Sequence, residues 1–261
     1  MTRCKTKAVV FDLDDTIGHF EQLGMFISAL EQGITGFKVN KKIFNKILDL
    51  FPHFIRPGII DSLKLLKKRK KRDKCLKVII YTNNNGPRSW TLNIKNYLEQ
   101  KINSKIFDRI ITKYDHRSII NCRTTHNKTR SDLLGCSNLP KQTKILFFDD
   151  QYHTLMNHEN IDYVKLAPYN FRVPPEVMIR KFLHSEIGKR VPTLEHQRFE
   201  HYILTFLLSK KDYRIRKKTI SPQDRREKKK MLQIIRKFTT LHKRTRKVHN
   251  KKGRKDTRKK S

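Results

Sequence analysis

Negative charge is scarce in this chain of 261 residues: 24 Asp and Glu stand against 60 Lys and Arg, a formal net charge of +36. Such a surface attracts nucleic acid, anionic membranes or acidic proteins, and it says nothing about fold. Cysteine is scarce too. Cys4, Cys75, Cys122 and Cys136 form no Cys-x-x-Cys pair and suggest no disulfide framework, so reduced thiols are expected. Cys122, His126 and Cys136 make a poor zinc site, one ligand short and oddly spaced. No apolar run approaches the ~18 residues that span a bilayer. No long apolar stretch precedes Asp12, so no secretory signal and no membrane partner are expected. No internal repeat is present. With these absences an intracellular setting, cytoplasmic or nuclear, is expected, and 36% apolar residues suffice for one real core.

What is present is organised around Ala8-Val9-Val10-Phe11-Asp12-Leu13-Asp14-Asp15-Thr16. A short apolar run entering a cluster of acids reads as a buried parallel strand. Its acids then lie at the carboxyl end, where open α/β sheets place their chemistry. Two further runs end in the same manner. Lys77–Thr82 closes on Thr82 and the polar loop Asn83-Asn84-Asn85-Gly86-Pro87, and Lys144–Phe148 closes on Asp149 and Asp150. Ile106–Ile111 and Tyr163–Leu166 add short strands. Strands alternating with helical segments predict an α/β fold, a doubly wound parallel sheet with right-handed crossovers.

Residues 1–172 are assigned to that α/β domain. Within it, 17–55 reads as a small two-helix insertion, too small for a large lid, which favours an open site and a large substrate. Arg56-Pro57-Gly58 opens a helix with Pro57 near its first turn. Ile59, Ile60, Leu63 and Leu66 give it an apolar face, and it runs out in the six cations Lys67–Arg72. That run reads either as a solvated helix end suited to the macrodipole or as a nuclear-import or nucleic-acid patch. A polar stretch follows at Arg117–Arg130. Residues 173–209 form a helical annex. Residues 210–261 form a basic tail with 24 Lys and Arg against 4 Asp and Glu. In the tail Ser221-Pro222 caps a helix with Met231, Ile234, Ile235, Phe238 and Leu241 along one side. Past His242 the chain should be disordered until it meets a nucleic acid or another polyanion.

Parallel strands bring their carboxyl ends to one edge, so Asp12, Asp14, Thr82, Asp149 and Asp150 can converge. Carboxylates gathered there repel one another or bind a divalent cation, and hard oxygen ligands suit magnesium. Beside a metal an aspartate can attack phosphorus, and a second aspartate two residues on can serve as general acid and then base. A hydroxyl and a lysine would hold the phosphoryl oxygens. Each residue alone carries little weight; their joint order carries the argument.

Asp12-Leu13-Asp14-Asp15-Thr16, Thr82 at a strand end, Lys128, and Asp149-Asp150 resemble the four motifs of the haloacid dehalogenase (HAD) superfamily, in its phosphatase form. Arg56-Pro57-Gly58 is similar to the FCP-homology branch, the phosphatases of the RNA polymerase II carboxy-terminal domain. Phe11–Gly18, Tyr81–Trp90, Cys122–Thr129 and Phe148–Asp150 look like HAD-type proteins of large DNA viruses and some protists. That likeness would extend the intracellular setting to a virus-infected host cell. The resemblance implies a magnesium-dependent phosphatase acting through an aspartyl-phosphate on a phosphoprotein. Asp12 would be the nucleophile, Asp14 the acid and base, and Thr82 and Lys128 the phosphate ligands. The metal would lie on Asp12, the Asp14 carbonyl and Asp150, with Asp149 as the alternative ligand. Thr16, Asn83 and Arg123 are expected near the substrate. Asp15 would serve the turn. The alternatives are a phosphatase of nucleic-acid ends and a nucleic-acid-binding protein with a vestigial core. The Asp149-Asp150 pair departs from the Asp-Asn common in the carboxy-terminal-domain phosphatases, which weakens transfer of their substrate.

Overall fold

Five short strands form one parallel sheet in the computed structural model, which describes residues 5–113, 122–191, 193–209 and 220–240. They are β1 (Lys7–Phe11), β2 (Leu76–Tyr81), β3 (Arg109–Ile111), β4 (Lys144–Asp149) and β5 (Ile161–Lys165). Their spatial order is β3-β2-β1-β4-β5, with β1 in the middle. The chain steps outward on one side of β1, returns, and steps outward on the other. The carboxyl ends of β1 and β4 therefore flank the switch point of an open α/β sheet.

Alternation along the strands divides the core in two. Val9, Phe11, Val78, Ile80, Leu146 and Phe148 belong to the larger cluster, and Ala8, Val10, Ile79, Tyr81, Ile145 and Phe147 to the smaller. Both faces are thus dry, as continuous apolar runs require in a parallel sheet. The smaller cluster is covered by Leu133 and Leu134 of helix α5 (Arg130–Cys136). The larger lies under α1 (Glu21–Gly33), α2 (Lys41–Leu50), α3 (Ile59–Arg72), α4 (Arg88–Lys101) and the later helices α6 (Pro175–Leu183), α7 (Thr193–Leu208) and α8 (Pro222–Phe238). Helices on both faces make this the doubly wound α/β sheet expected from the strand pattern.

The α1–α2 pair stands between β1 and α3, and Phe26, Ile27, Leu30, Phe44 and Ile47 pack into the main core. Pro57 precedes α3 rather than sitting in its first turn. The helix begins at Ile59 after Gly58, whose φ of 96° is the left-handed conformation that favours glycine.

Helix α8 is part of this same body. Ser221 and Asp224 close a capping box at its start. Met231 and Ile235 are fully buried against the main core, each contributing roughly 1.5–3 kcal/mol of apolar burial. Lys228 bonds Asp61 of α3 at 2.7 Å, and Lys7 of β1 donates to the Phe238 carbonyl at 2.9 Å. Leu241 and the stretch past His242 lie outside the described residues.

The cysteines correct the sequence reading. Cys122 and Cys136 are joined in a disulfide, with Cα atoms 5.2 Å apart across 14 residues, and Cys75 is disulfide-bonded as well. Spacing alone gave no sign of this pairing, because the fold brings the entry to the Lys128 loop against the end of α5.

Candidate active site

The stretch after β1 is held by the sheet and by its own turn. Asp12 continues the ladder, its N–H donating to the Phe148 carbonyl at 2.9 Å. Asp15 turns the chain with φ 53°, a conformation aspartate tolerates better than most residues. Its N–H donates to the Gly18 carbonyl, and its own carbonyl accepts from Tyr169 N–H and from Arg56. Gly18 is required by packing: a Cβ there would lie 2.3 Å from the Phe54 carbonyl oxygen. Arg56 is 1% exposed and its guanidinium lies 5.3 Å from the centre of the Tyr169 ring. It bridges the Asp15 and Ala167 carbonyls at 2.5 Å each, so it fastens the turn after β1 to the segment after β5.

Around that turn the structure gathers a buried charged cluster. Lys128 Nζ lies 2.5 Å from Asp12 Oδ1 and 2.7 Å from Asp149 Oδ2. Lys128 arrives there because Thr129 caps α5, accepting from Asp132 N–H at 3.0 Å, and its N–H bonds Tyr81 Oη at 2.9 Å. Oxygen atoms of Asp12, Asp149 and Asp150 all lie within 4.8 Å of one another. Asp149 has both oxygens engaged: Gln151 N–H donates to Oδ1 at 2.8 Å, and Lys128 and His153 (3.4 Å) meet Oδ2. Asp150 is oriented by the Thr16 hydroxyl, which donates to Oδ1 at 3.2 Å. Asp14 accepts from Asn84 Nδ2 at 2.6 Å.

Burial sets the electrostatics. It pushes the Asp12 carboxyl up to about 7, against the pull of Lys128. It also raises Asp14, opposed chiefly by the Asn84 hydrogen bond, and Asp150, with Asp149 adding repulsion. Asp149 also feels burial, yet His153 and Lys128 together hold it below the usual carboxylate range. The cluster could therefore hold a cation in addition to Lys128. Its donor set is carboxylate oxygen throughout, which fits a hard divalent ion better than a soft one.

Thr82 closes β2 fully buried, and its hydroxyl accepts from Asn84 N–H at 3.0 Å. Asn83 is exposed on the same loop. Arg123, expected near the substrate, is 3% exposed. Its guanidinium bonds Asn83 Oδ1 at 2.7 Å and the His126 and Asn127 carbonyls at 2.8 Å, and lies 5.0 Å from the centre of the Tyr81 ring. It ties the Lys128 loop to the end of β2. Asp15 serves the turn, as expected, and accepts from His19 at 2.7 Å. Sequence reasoning missed Asn84, His153 and the role of Arg56. Only Arg56 had a signal, its place in Arg-Pro-Gly.

Fold and site together define an α/β protein with a buried carboxylate–lysine cluster at the carboxyl edge of its parallel sheet. No family model and no curated protein sequence matches the chain. Among solved structures it is similar to the HAD domain of the effector protein Lem4 from Legionella pneumophila, at 13% identity and a TM-score of 0.35. The match covers 77% of this chain and 95% of that one. At that TM-score the likeness bears on neither family nor activity, and the fold rests on the sheet itself.

Proposed function

We propose that the chain is a phosphomonoester hydrolase of the HAD type, dependent on magnesium and acting on a phosphoprotein. The observation that carries this reading is Lys128 held between Asp12 and Asp149, with Asp150 alongside and Asp14 fixed by Asn84. Asp12 attacks phosphorus while Asp14 gives its proton to the departing alcohol as the P–O ester bond breaks. Burial raises the Asp14 carboxyl, the direction a general acid needs. Asp14 then takes a proton from water, whose oxygen attacks the aspartyl-phosphate and frees Asp12. Lys128 and the Thr82 hydroxyl hold the phosphoryl oxygens, where charge stabilisation counts most.

Magnesium would be held by Asp12, the Asp14 carbonyl and Asp150. When bound, it supplies charge neutralisation for the incoming phosphate. Asp150 is favoured over Asp149 because Lys128, His153 and Gln151 already engage both oxygens of Asp149. Asp12→Asn with an aryl phosphate tests the reading. Turnover should fall by about 10³-fold or more, and wild-type turnover in the mutant would refute the mechanism.

The basic tail is proposed to contact nucleic acid. Its support is the α8 surface, where Arg225, Arg226, Lys229, Lys230, Arg236 and Lys237 are all exposed. Lys64, Lys68, Lys71 and Arg72 are exposed on α3, the helix α8 packs against.

A further inference from the structure

A cleft of about 710 Å³ opens beside Asp14, between α1 and the Asn83–Pro87 loop. Its walls invert the charge of the chain. They carry Asp14, Asp15, Glu21 and Glu31 and, among the described residues, no lysine or arginine. In a protein with 60 Lys and Arg, a carboxylate-lined cleft at the reacting edge is not what random placement of charge would produce. Two of these acids have local work: Asp15 accepts from His19, and Glu31 accepts from Val39 N–H at 2.8 Å. Glu21 is exposed at the start of α1.

A second feature shapes the cleft wall. His19 is 6% exposed and lines the same cleft. Its Nδ1 is bonded to Asp15, whereas its Nε2 has no hydrogen-bond partner. Nε2 is itself shielded from solvent, so what His19 contributes is the orientation of the Asp15 carboxylate at the cleft wall. Half-buried Trp90 gives the cleft an aromatic wall on which a cationic side chain can also rest.

We propose that this cleft seats the polypeptide flanking the phosphorylated residue and selects substrates with Lys or Arg close to it. The inference rests on the phosphatase reading and narrows its substrate to cationic phosphopeptides. A nucleic-acid end would bring further phosphates against the same carboxylates, so the cleft disfavours it.

The test uses the full chain with magnesium and phosphopeptides that differ only in flanking Lys, Ala or Glu. A phosphorylated oligonucleotide and an aryl phosphate are run beside them. The Lys-flanked peptide should exceed the Glu-flanked one by about tenfold in kcat/KM at low salt, with the ratio shrinking as salt rises. Glu21→Gln should narrow that ratio and Glu21→Lys should narrow it further or invert it. Because the ratio is taken within one preparation, loss of folded protein does not change it. Equal rates on all peptides, or preference for the Glu-flanked peptide or the oligonucleotide, would overturn the inference while aryl phosphate turnover upholds the phosphatase reading. No turnover of any substrate, aryl phosphate included, would sink the phosphatase reading and the inference with it.

Discussion

The carboxyl edge of the sheet and the α3–α8 flank both concentrate charge, but they hold it differently. At the edge Asp12, Lys128, Asp149 and Asp150 are buried, and each has a named partner. On the flank Arg225, Arg226, Lys229 and Lys230 are exposed. A buried charge must be paired or it costs several kcal/mol, whereas an exposed one is screened by water and salt. The edge is therefore where one substitution has a large effect. The flank is where effects accumulate in small, salt-dependent steps.

Removing Lys128 should separate the two regions most sharply. Lys128→Ala leaves Asp12, Asp149 and Asp150 facing one another without their cation. Turnover should fall by about 10²–10³-fold and stability by about 3–5 kcal/mol, read by aryl phosphate kinetics and thermal melting. A mutant within twofold of wild type in both would erase the distinction.

On the flank, reversing Arg225, Arg226, Lys229 and Lys230 together to Glu should weaken duplex DNA binding. The slope of log affinity against log salt should shrink by about 0.9 for each phosphate that is no longer neutralised. An unchanged slope would place the binding elsewhere on the chain and leave this flank as a solvated face.

The smallest effect concerns pH. Burial raises Asp12 in the folded chain to about 7, so on its account metal-free stability falls as pH rises through that value. Asp149, held low, works in the opposite sense and loses its contribution only in acid. A divalent ion binds the ionised cluster, so magnesium should raise Tm more at pH 8 than at pH 5.5. An equal rise at both values would show that the ion does not sit on Asp12.

Much of this was legible in the sequence because strands are local. Val9–Phe11, Val78–Tyr81 and Ile145–Phe148 are apolar runs that end in polar groups, and parallel pairing forces those ends together. The convergence of Asp12, Asp149 and Asp150 follows from that, whereas Lys128 reaches them from the cap of α5, which only the motif resemblance pointed to. Contacts between remote segments were not legible. Arg123 is directed at the carbonyls of its own loop and at Asn83, which no spacing encodes. Asn84, rather than either neighbouring asparagine, meets Asp14 because of the particular path of the loop after β2. Of the six cations at Lys67–Arg72, Lys67 donates to the Ile102 and Asn103 carbonyls, and Lys70 to the Ile106 carbonyl and Asp108. Part of that run is structural, and Lys68, Lys71 and Arg72 stay exposed.

The central claim is that Asp12 carries the phosphoryl group. Rapid acid quench of the Asp14→Asn protein during turnover, followed by peptide mass mapping, tests it directly. The account predicts phosphate on the peptide that contains Asp12, lost on treatment with hydroxylamine. Turnover with no phosphorylated Asp12 at any quench time, or phosphate on another residue, would contradict it.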